Sequence, residues 1–231
     1  MKLLVVIPAF NEKDSILNTV RELQTTCPMY DYIVVNDGSA DNTADICREN
    51  GLNLLDMPVN LGLSGAVQAG MKYAYLNDYD AVIQFDADGQ HSAEYIAAMV
   101  SKLQEGYDIV IGSRFVTEPK PKTMRMLGSN LISFAIKLMN GTVICDPTSG
   151  MRLYGRRIVK LFAKKINVEP EPDTIAYLIQ NGAKVVEVQV EMRERMFGES
   201  YLNAFRSMGY MLQMGISIVF FQKFRRAIEL D

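Results

Sequence analysis

Hydrophobic positions in the first half of the chain fall into short continuous runs separated by helix-spaced stretches. The runs are LLVVI at 3–7, YIVV at 32–35, LNLL at 52–55, AVIQF at 81–85 and DIVIG at 108–112. Each is too short for a stable helix, and most are rich in β-branched residues, as strands buried on both faces are. Between them the spacing predicts helices over 12–25, 42–50, 63–77 and 92–105. The third is amphipathic through Leu63, Val67, Met71 and Ala74. Strands alternating with helices predict an α/β fold, with a mostly parallel central sheet flanked by helices.

After Arg114 the rhythm changes. VTEPKPKT reads as a loop, followed by a helix over 122–140, a short strand at 151–154 and a helix over 155–165. PDTIAYLIQNG reads as a helix stopped by Gly182, and KVVEVQVEM alternates like a half-buried strand. A last helix is predicted over 201–226. Its most apolar stretch, 208–221, contains Gln213 and Ser217 and has only 14 residues, short of the ~20 a bilayer span needs. Two readings stay open for it: a core or subunit contact, or a helix lying on a membrane beside the basic QKFRR that follows. No repeat or Pro/Gly/Ser linker divides the chain. Residues 1–231 are therefore expected to form one domain, with a ligand-binding half at 1–113 and a differently tuned half at 114–231.

Composition adds bounds rather than a function. With 48% hydrophobic and 22% charged residues, the chain is globular. MKLLVVIPAF reads as a first strand, because its apolar run reaches Pro8 and then NEKD, not the small residues of a cleavage site. Cys27, Cys47 and Cys145 form no CxxC pair, which predicts free thiols in a reducing compartment and no zinc site. The net charge of −3 hides an asymmetry: residues 1–113 carry 6 basic and 16 acidic side chains, residues 114–165 carry 11 and 2. So basic a segment suits phosphates or an anionic membrane. Nothing points to nucleic acid as a partner.

Open parallel sheets bind ligands beyond the carboxyl ends of their strands. The loops expected there are PAFNE, NDGSADNT and DADGQH. None contains GxGxxG or GxxxxGK[ST], which argues against dinucleotide and P-loop chemistry. An EF-hand reading of DADGQHSAEYIA fails, since Gly89 is fourth rather than sixth and Ala97 stands at position twelve. Asp86 and Asp88 directly after an apolar run repel each other unless a cation sits between them. Mg²⁺ or Mn²⁺ fits, being commonly held by one or two carboxylates plus substrate phosphates, and would neutralise a departing diphosphate. Gln90 offers an amide oxygen. His91, the only histidine, either touches the ligand or packs behind the carboxylates.

VVIPAFNEKDSI, VVNDGSADNT, NLGLSGAVQAG and FDADGQH, in this order and spacing, resemble family 2 glycosyltransferases of the GT-A (Rossmann-like) fold. GSRF at 112–115, DPTSGMRLYGRR at 146–157 and EVQVEMRERMFGES at 187–200 resemble the branch that loads sugars onto polyprenyl phosphates, such as dolichyl-phosphate mannose synthases. The resemblance implies that Pro8, Ala9, Asn11 and Glu12 line a nucleotide pocket and that Asp37 holds base or ribose, although NDGS is also a good turn. It implies that Asp86 and Asp88 engage metal and nucleotide, with Gln90 as a further metal ligand. Arg195, ahead of Gly198-Glu199-Ser200, would close over the diphosphate. Acceptor phosphate would meet Arg114, Arg125 and Ser129, assisted by Arg152 or Arg156. Asp146 would orient the acceptor, act as a base or cap its turn. The expected catalytic set is thus Asp86, Asp88, Asp146 and Arg195, with residues 114–231 forming an acceptor-side extension.

Acceptor chemistry separates the readings. A sugar hydroxyl loses a proton as it attacks and needs a positioned base, for which Glu171 or Asp173 is available, though Asp173 equally suits a helix N-cap. A lipid monophosphate is already ionised and needs cations, as the basic segment provides. The expected activity is inverting, metal-dependent transfer from a nucleotide sugar, a UDP-sugar such as UDP-glucose, to undecaprenyl or another polyprenyl phosphate for cell-wall or surface polysaccharide. The enzyme would sit peripherally on the cytoplasmic face of the membrane, with homo-oligomerisation left open. The alternatives are a saccharide hydroxyl acceptor and, from another class, a non-catalytic nucleotide-sugar-binding module. A nucleotidyltransferase would want a glycine-rich basic loop where PAFNE stands.

Overall fold

The structure, a computed structural model, describes residues 1–165, 169–193, 204–221 and 225. Four strands, β1 (Leu3–Ala9), β2 (Asp31–Asp37), β3 (Leu54–Met57) and β4 (Ala81–Gln84), run parallel. β5 (Ile109–Ser113), β6 (Arg152–Gly155) and β7 (Val185–Gln189) continue the same sheet. Its order is β3-β2-β1-β4-β6-β5-β7. The sheet is mostly parallel, as expected, with one exception: β6 lies antiparallel between β4 and β5. Both halves of the chain contribute strands.

Alternate residues of β1 point to opposite faces, and both faces are covered, which is why its apolar run is unbroken. On one side Leu3, Val5, Ile7 and Ile83 meet α1 (Ile16–Thr26), α2 (Thr43–Glu49) and α4 (Ile96–Gln104). On the other, Val6, Val35 and Val82 meet α3 (Gly62–Leu76), α5 (Met124–Asn140), α6 (Arg156–Lys164) and α7 (Pro172–Gln180). The last helix, α8 (Ala204–Ile216), continues as a π-helical segment Ser217–Phe221, burying Met211 and Ile218. No helix among the described residues is long and apolar enough to cross a membrane.

Two boundaries depart from the periodicity for local reasons. α1 starts at Ile16 rather than 12, because Asn11 adopts a left-handed backbone (φ 58°) and the N–H groups of Ser15 and Ile16 both bond the Glu12 carbonyl. β3 lies two residues later than expected, because Leu52 bonds back to Cys47 and completes the turn out of α2.

Candidate active site

Parallel strands end on one edge of the sheet, and the loops leaving β1, β2 and β4 enclose a cavity there of about 520 Å³. Pro8, Ala9, Asn11, Glu12, Asp37, Asp86 and Asp88 all line it. Sequence reasoning missed Phe10, Asn60, Gly62, Leu63, Ala66 and Ala87, which complete the wall. Leu63 carried a signal: it stands first in the amphipathic series of α3, yet it is exposed because the helix begins at the cavity mouth.

Polar side chains lock these loops. Asn11 Oδ1 accepts the backbone N–H groups of Ala40 (2.9 Å) and Asp41 (3.3 Å), joining the first two loops. Glu12 N–H donates to Thr43 Oγ1 at 2.9 Å. Asp37, buried, accepts the Leu61 N–H at 2.7 Å and thereby fixes the entry to α3.

The two aspartates leave β4 in different settings. Asp86 keeps 31% of its side chain exposed, whereas Asp88 is buried and accepts the Gln90 N–H at 3.0 Å. Asp86 is held from two sides. Gln84 Nε2 donates to its Oδ1 at 3.1 Å, and His91 Nε2 lies 3.5 Å from its Oδ2. The Asp86 N–H donates to His91 Nδ1 at 2.9 Å, so the imidazole proton belongs on Nε2, facing the carboxylate. His91 therefore packs behind Asp86, edge-on to Phe85. The Gln90 side chain reaches toward the Arg193 carbonyl (3.5 Å), whose own N–H bonds the Gln90 carbonyl. Arg195 lies outside the described residues.

Oxygen donors on one turn suit a hard divalent cation. No group of three or more His, Cys, Asp or Glu side chains gathers to hold a metal among the described residues. Asp86 and Asp88 could supply one or two carboxylates to such an ion, whose remaining ligands would come from a ligand's phosphates. A further residue shapes this corner. A Cβ on Gly150 would lie 2.6 Å from Asp86 Oδ2, so a side chain there would force the carboxylate or the DPTSG loop to shift.

The same loop begins at Asp146, which is fully buried. Arg114, just past β5, binds it with Nε to Oδ2 at 2.7 Å and Nη2 to Oδ1 at 2.9 Å. Glu187 of β7 accepts the N–H groups of Cys145 and Asp146. Arg125, in the first turn of α5, is exposed. Partial burial of its guanidinium and the nearby Arg114 lower its pKa, with Asp146 opposing them. Ser129, one turn further, is buried under Lys120, whose Nζ lies 3.1 Å from its hydroxyl and 3.4 Å from that of Ser133. Burial pushes Lys120 below its ordinary value, while Asp146, Cys145 and Glu187 pull it back up. Sequence reasoning missed Lys120, whose only signal was the PKPK run.

The remaining candidates are occupied elsewhere. Arg152 is buried and donates to the carbonyls of Pro147 and Pro170, and Arg156 faces Asp78 and Asp80. Glu171 accepts the Tyr210 hydroxyl, whose pKa is raised by burial and by that carboxylate. Asp173 sits inside the first turn of α7 rather than at its N-cap, which is Glu171. Its carboxylate accepts Ser217 Oγ at 2.8 Å and Arg225 Nη2 at 3.2 Å.

Comparison with known proteins fits this arrangement. The model of glycosyl transferase family 2 matches residues 4–162. An undecaprenyl-phosphate mannosyltransferase of Micrococcus luteus is 30% identical over 88% of this chain and 88% of its own. Among solved structures, glucosyl-3-phosphoglycerate synthase of Mycobacterium tuberculosis, in complex with Mn²⁺, uridine diphosphate and phosphoglyceric acid, aligns with TM-score 0.67. It is 18% identical over 96% of this chain and 78% of that one. A Pyrobaculum calidifontis mannosyltransferase in complex with GDP-Man and Mn²⁺ also aligns with TM-score 0.67, at 17% identity over 94% and 63%. These two are likenesses of fold.

Proposed function

The chain belongs to glycosyl transferase family 2 and is a glycosyltransferase; from that premise we propose that it moves a sugar, with inversion, from a nucleotide donor to a polyprenyl phosphate. One observation carries the acceptor. Among the described residues, the three carboxylates that the sequence offered as a base for a hydroxyl acceptor are engaged: Asp146 by Arg114, Glu171 by Tyr210, Asp173 by Ser217 and Arg225. Beside them stand Arg125, Lys120 and Ser129. An ionised phosphate needs no strong base, only cations that bring it near another anion. The Micrococcus relative, named for an undecaprenyl-phosphate acceptor, supports the same reading.

The donor nucleotide occupies the cavity between the β1, β2 and β4 loops, with Asp37 on the base or ribose side. Asp86 and Asp88, with Gln90, are the residues that would hold Mg²⁺ or Mn²⁺, and the ion would supply charge neutralisation of the departing diphosphate. Gln84 and His91 orient Asp86, and Gly150 leaves its carboxylate room. Asp146 holds Arg114 toward the acceptor phosphate rather than taking a proton. Attack from the face opposite the nucleotide inverts the anomeric carbon, so an α-linked donor gives a β-linked lipid phosphate. We take a UDP-sugar as donor, the nucleotide of the synthase complex. GDP-mannose is the competing donor, the nucleotide sugar of the Pyrobaculum mannosyltransferase complex.

The test supplies enzyme, Mn²⁺, polyprenyl phosphate and either labelled UDP-glucose or labelled GDP-mannose. Label should enter the organic phase with one donor. Asp88→Asn should cut that rate at least about a hundredfold with an unchanged unfolding transition. Label found only on a soluble saccharide would reject the lipid acceptor.

A further inference from the structure

Two bonds inside the segment 86–92 give the aspartate loop its shape: Asp86 N–H to His91 Nδ1 and Gln90 N–H to Asp88 Oδ1. Such bonds travel with the loop and do not fix where it sits in the fold. Contacts from α1 do. Thr19, buried, donates its hydroxyl to the Ala87 carbonyl at 2.9 Å. Its other acceptor, the Ser15 carbonyl one turn back in the same helix, is farther at 3.2 Å. Ala87 stands between the two aspartates, and its methyl is buried in the same core cluster as Ile16, Val20 and Leu23 of α1. Nearly one turn past Thr19, Glu22 accepts the Ala93 N–H at 3.0 Å with Oε1 and Arg193 Nη1 at 2.6 Å with Oε2. Arg193 also reaches Ser92 Oγ with Nη2 at 3.1 Å, and its backbone N–H donates to the Gln90 carbonyl at 2.9 Å.

A peptide unit is planar, so holding the Ala87 carbonyl fixes the plane that ends at the Asp88 nitrogen. The direction in which the Asp88 side chain leaves the backbone follows from that plane. We propose that α1 is the template for the metal pair, with Thr19 as the positioning residue that sets Asp88 relative to Asp86 through the Ala87 peptide, and Glu22, with Arg193, as the clamp on the far end of the loop. Like charges favour separation, and a loop held only by its own bonds has nothing to oppose it. An external hold keeps the pair in place before an ion arrives, as groups one step removed from a metal's ligands do. Helix α1 itself has no use for a hydroxyl at position 19. The other buried positions of the helix, Ile16, Val20 and Leu23, are apolar, and burying a hydroxyl is costly unless it has a partner. The inference rests on the reading of Asp86 and Asp88 as metal-holding residues and deepens it by naming what makes the pair competent.

The test measures Mn²⁺ binding by the full chain through the electron paramagnetic resonance signal of free Mn²⁺, with UDP and, separately, with GDP, so that it does not depend on turnover. Thr19→Val keeps the branched shape and removes the hydroxyl, and it should raise the Mn²⁺ Kd at least about tenfold. Thr19→Ser returns the hydroxyl and should bind within about twofold of wild type. Glu22→Ala, at a side chain 25% exposed, should raise the Kd at least about threefold. A Thr19→Val chain that melts lower yet binds Mn²⁺ like wild type leaves Thr19 a packing role and overturns the proposal alone. So does a Thr19→Ser chain as weak as the valine variant. Should Thr19→Val fail to fold, wild-type affinity in Glu22→Ala overturns it instead. A wild-type chain that takes up no Mn²⁺ with either nucleotide overturns the proposal together with the metal reading of the aspartates.

Discussion

A methyl group at position 150 would compete for space with the carboxylate of Asp86, 2.6 Å from where its Cβ would sit. Since Gln84 and His91 already fix that carboxylate from the other sides, it has to turn out of place or the loop has to retreat. Gly150→Ala should therefore lower kcat/KM at least about tenfold, roughly 1.4 kcal/mol of transition-state stabilisation, and raise the Mn²⁺ concentration needed for half-maximal rate. Overpacking at the edge of the sheet should cost stability no more than about 1–3 kcal/mol, measured by urea unfolding. An unchanged metal dependence would count against a metal role for Asp86. The aspartate pair itself was legible because two carboxylates directly after a buried apolar run stand at a strand's carboxyl end, where such sheets bind ligands. Gly150 was not, because its constraint comes from a residue 64 positions away.

Elements with a strong period were read correctly; β6 was also placed, but its direction, set by long-range pairing, was not. α3 buries Val67, Met71 and Ala74 as its spacing requires, whereas the direction of β6 is invisible in RLYG. Burial on α2 has a consequence for pH. Cys47 is fully buried against the sheet, and its thiol is pushed up to about 11, chiefly by burial, with Arg48 lowering it and Asp56 raising it. A thiol whose folded pKa lies above its unfolded value of about 8.5 favours the native state only while protonated. This contribution is complete below about pH 8.5 and declines as pH rises toward 11. Native protein at pH 8 should leave Cys47 unmodified by a thiol-reactive dye, with labelling after denaturation. The urea midpoint should fall between pH 9 and 11, and Cys47→Ala should flatten that fall. Equal slopes in both proteins would assign the alkaline loss to other groups.

Across the whole molecule, the basic middle segment divides in two. On α6 its charges answer the acidic first half: Arg156 faces Asp78 and Asp80, Arg157 bonds Asp108 at 3.2 Å, and Lys164 lies over the Tyr75 ring. In the 114–137 portion, Lys120 and Arg125 stand near Asp146 and Arg114 on the proposed acceptor side. Arg157→Ala should accordingly cost about 1–3 kcal/mol of stability, since it takes a partner from the largely buried Asp108 carboxylate, and leave acceptor KM within about twofold. Arg125→Ala should raise acceptor KM roughly 10- to 100-fold, the worth of one charge-assisted hydrogen bond. Matching effects from both variants would return the whole segment to one role. The chain by itself determined the α/β alternation, the loops at the strand ends and the paired carboxylates, because these are written in local period and adjacent residue types. Tertiary structure alone decided that β6 enters antiparallel between β4 and β5. That pairing carries the DPTSG loop to the carboxyl end of β4, joins Asp146 to Arg114, and sets Gly150 against Asp86. Strand direction and sheet order follow from which distant surfaces bury each other best, a quantity that no short window of residues contains.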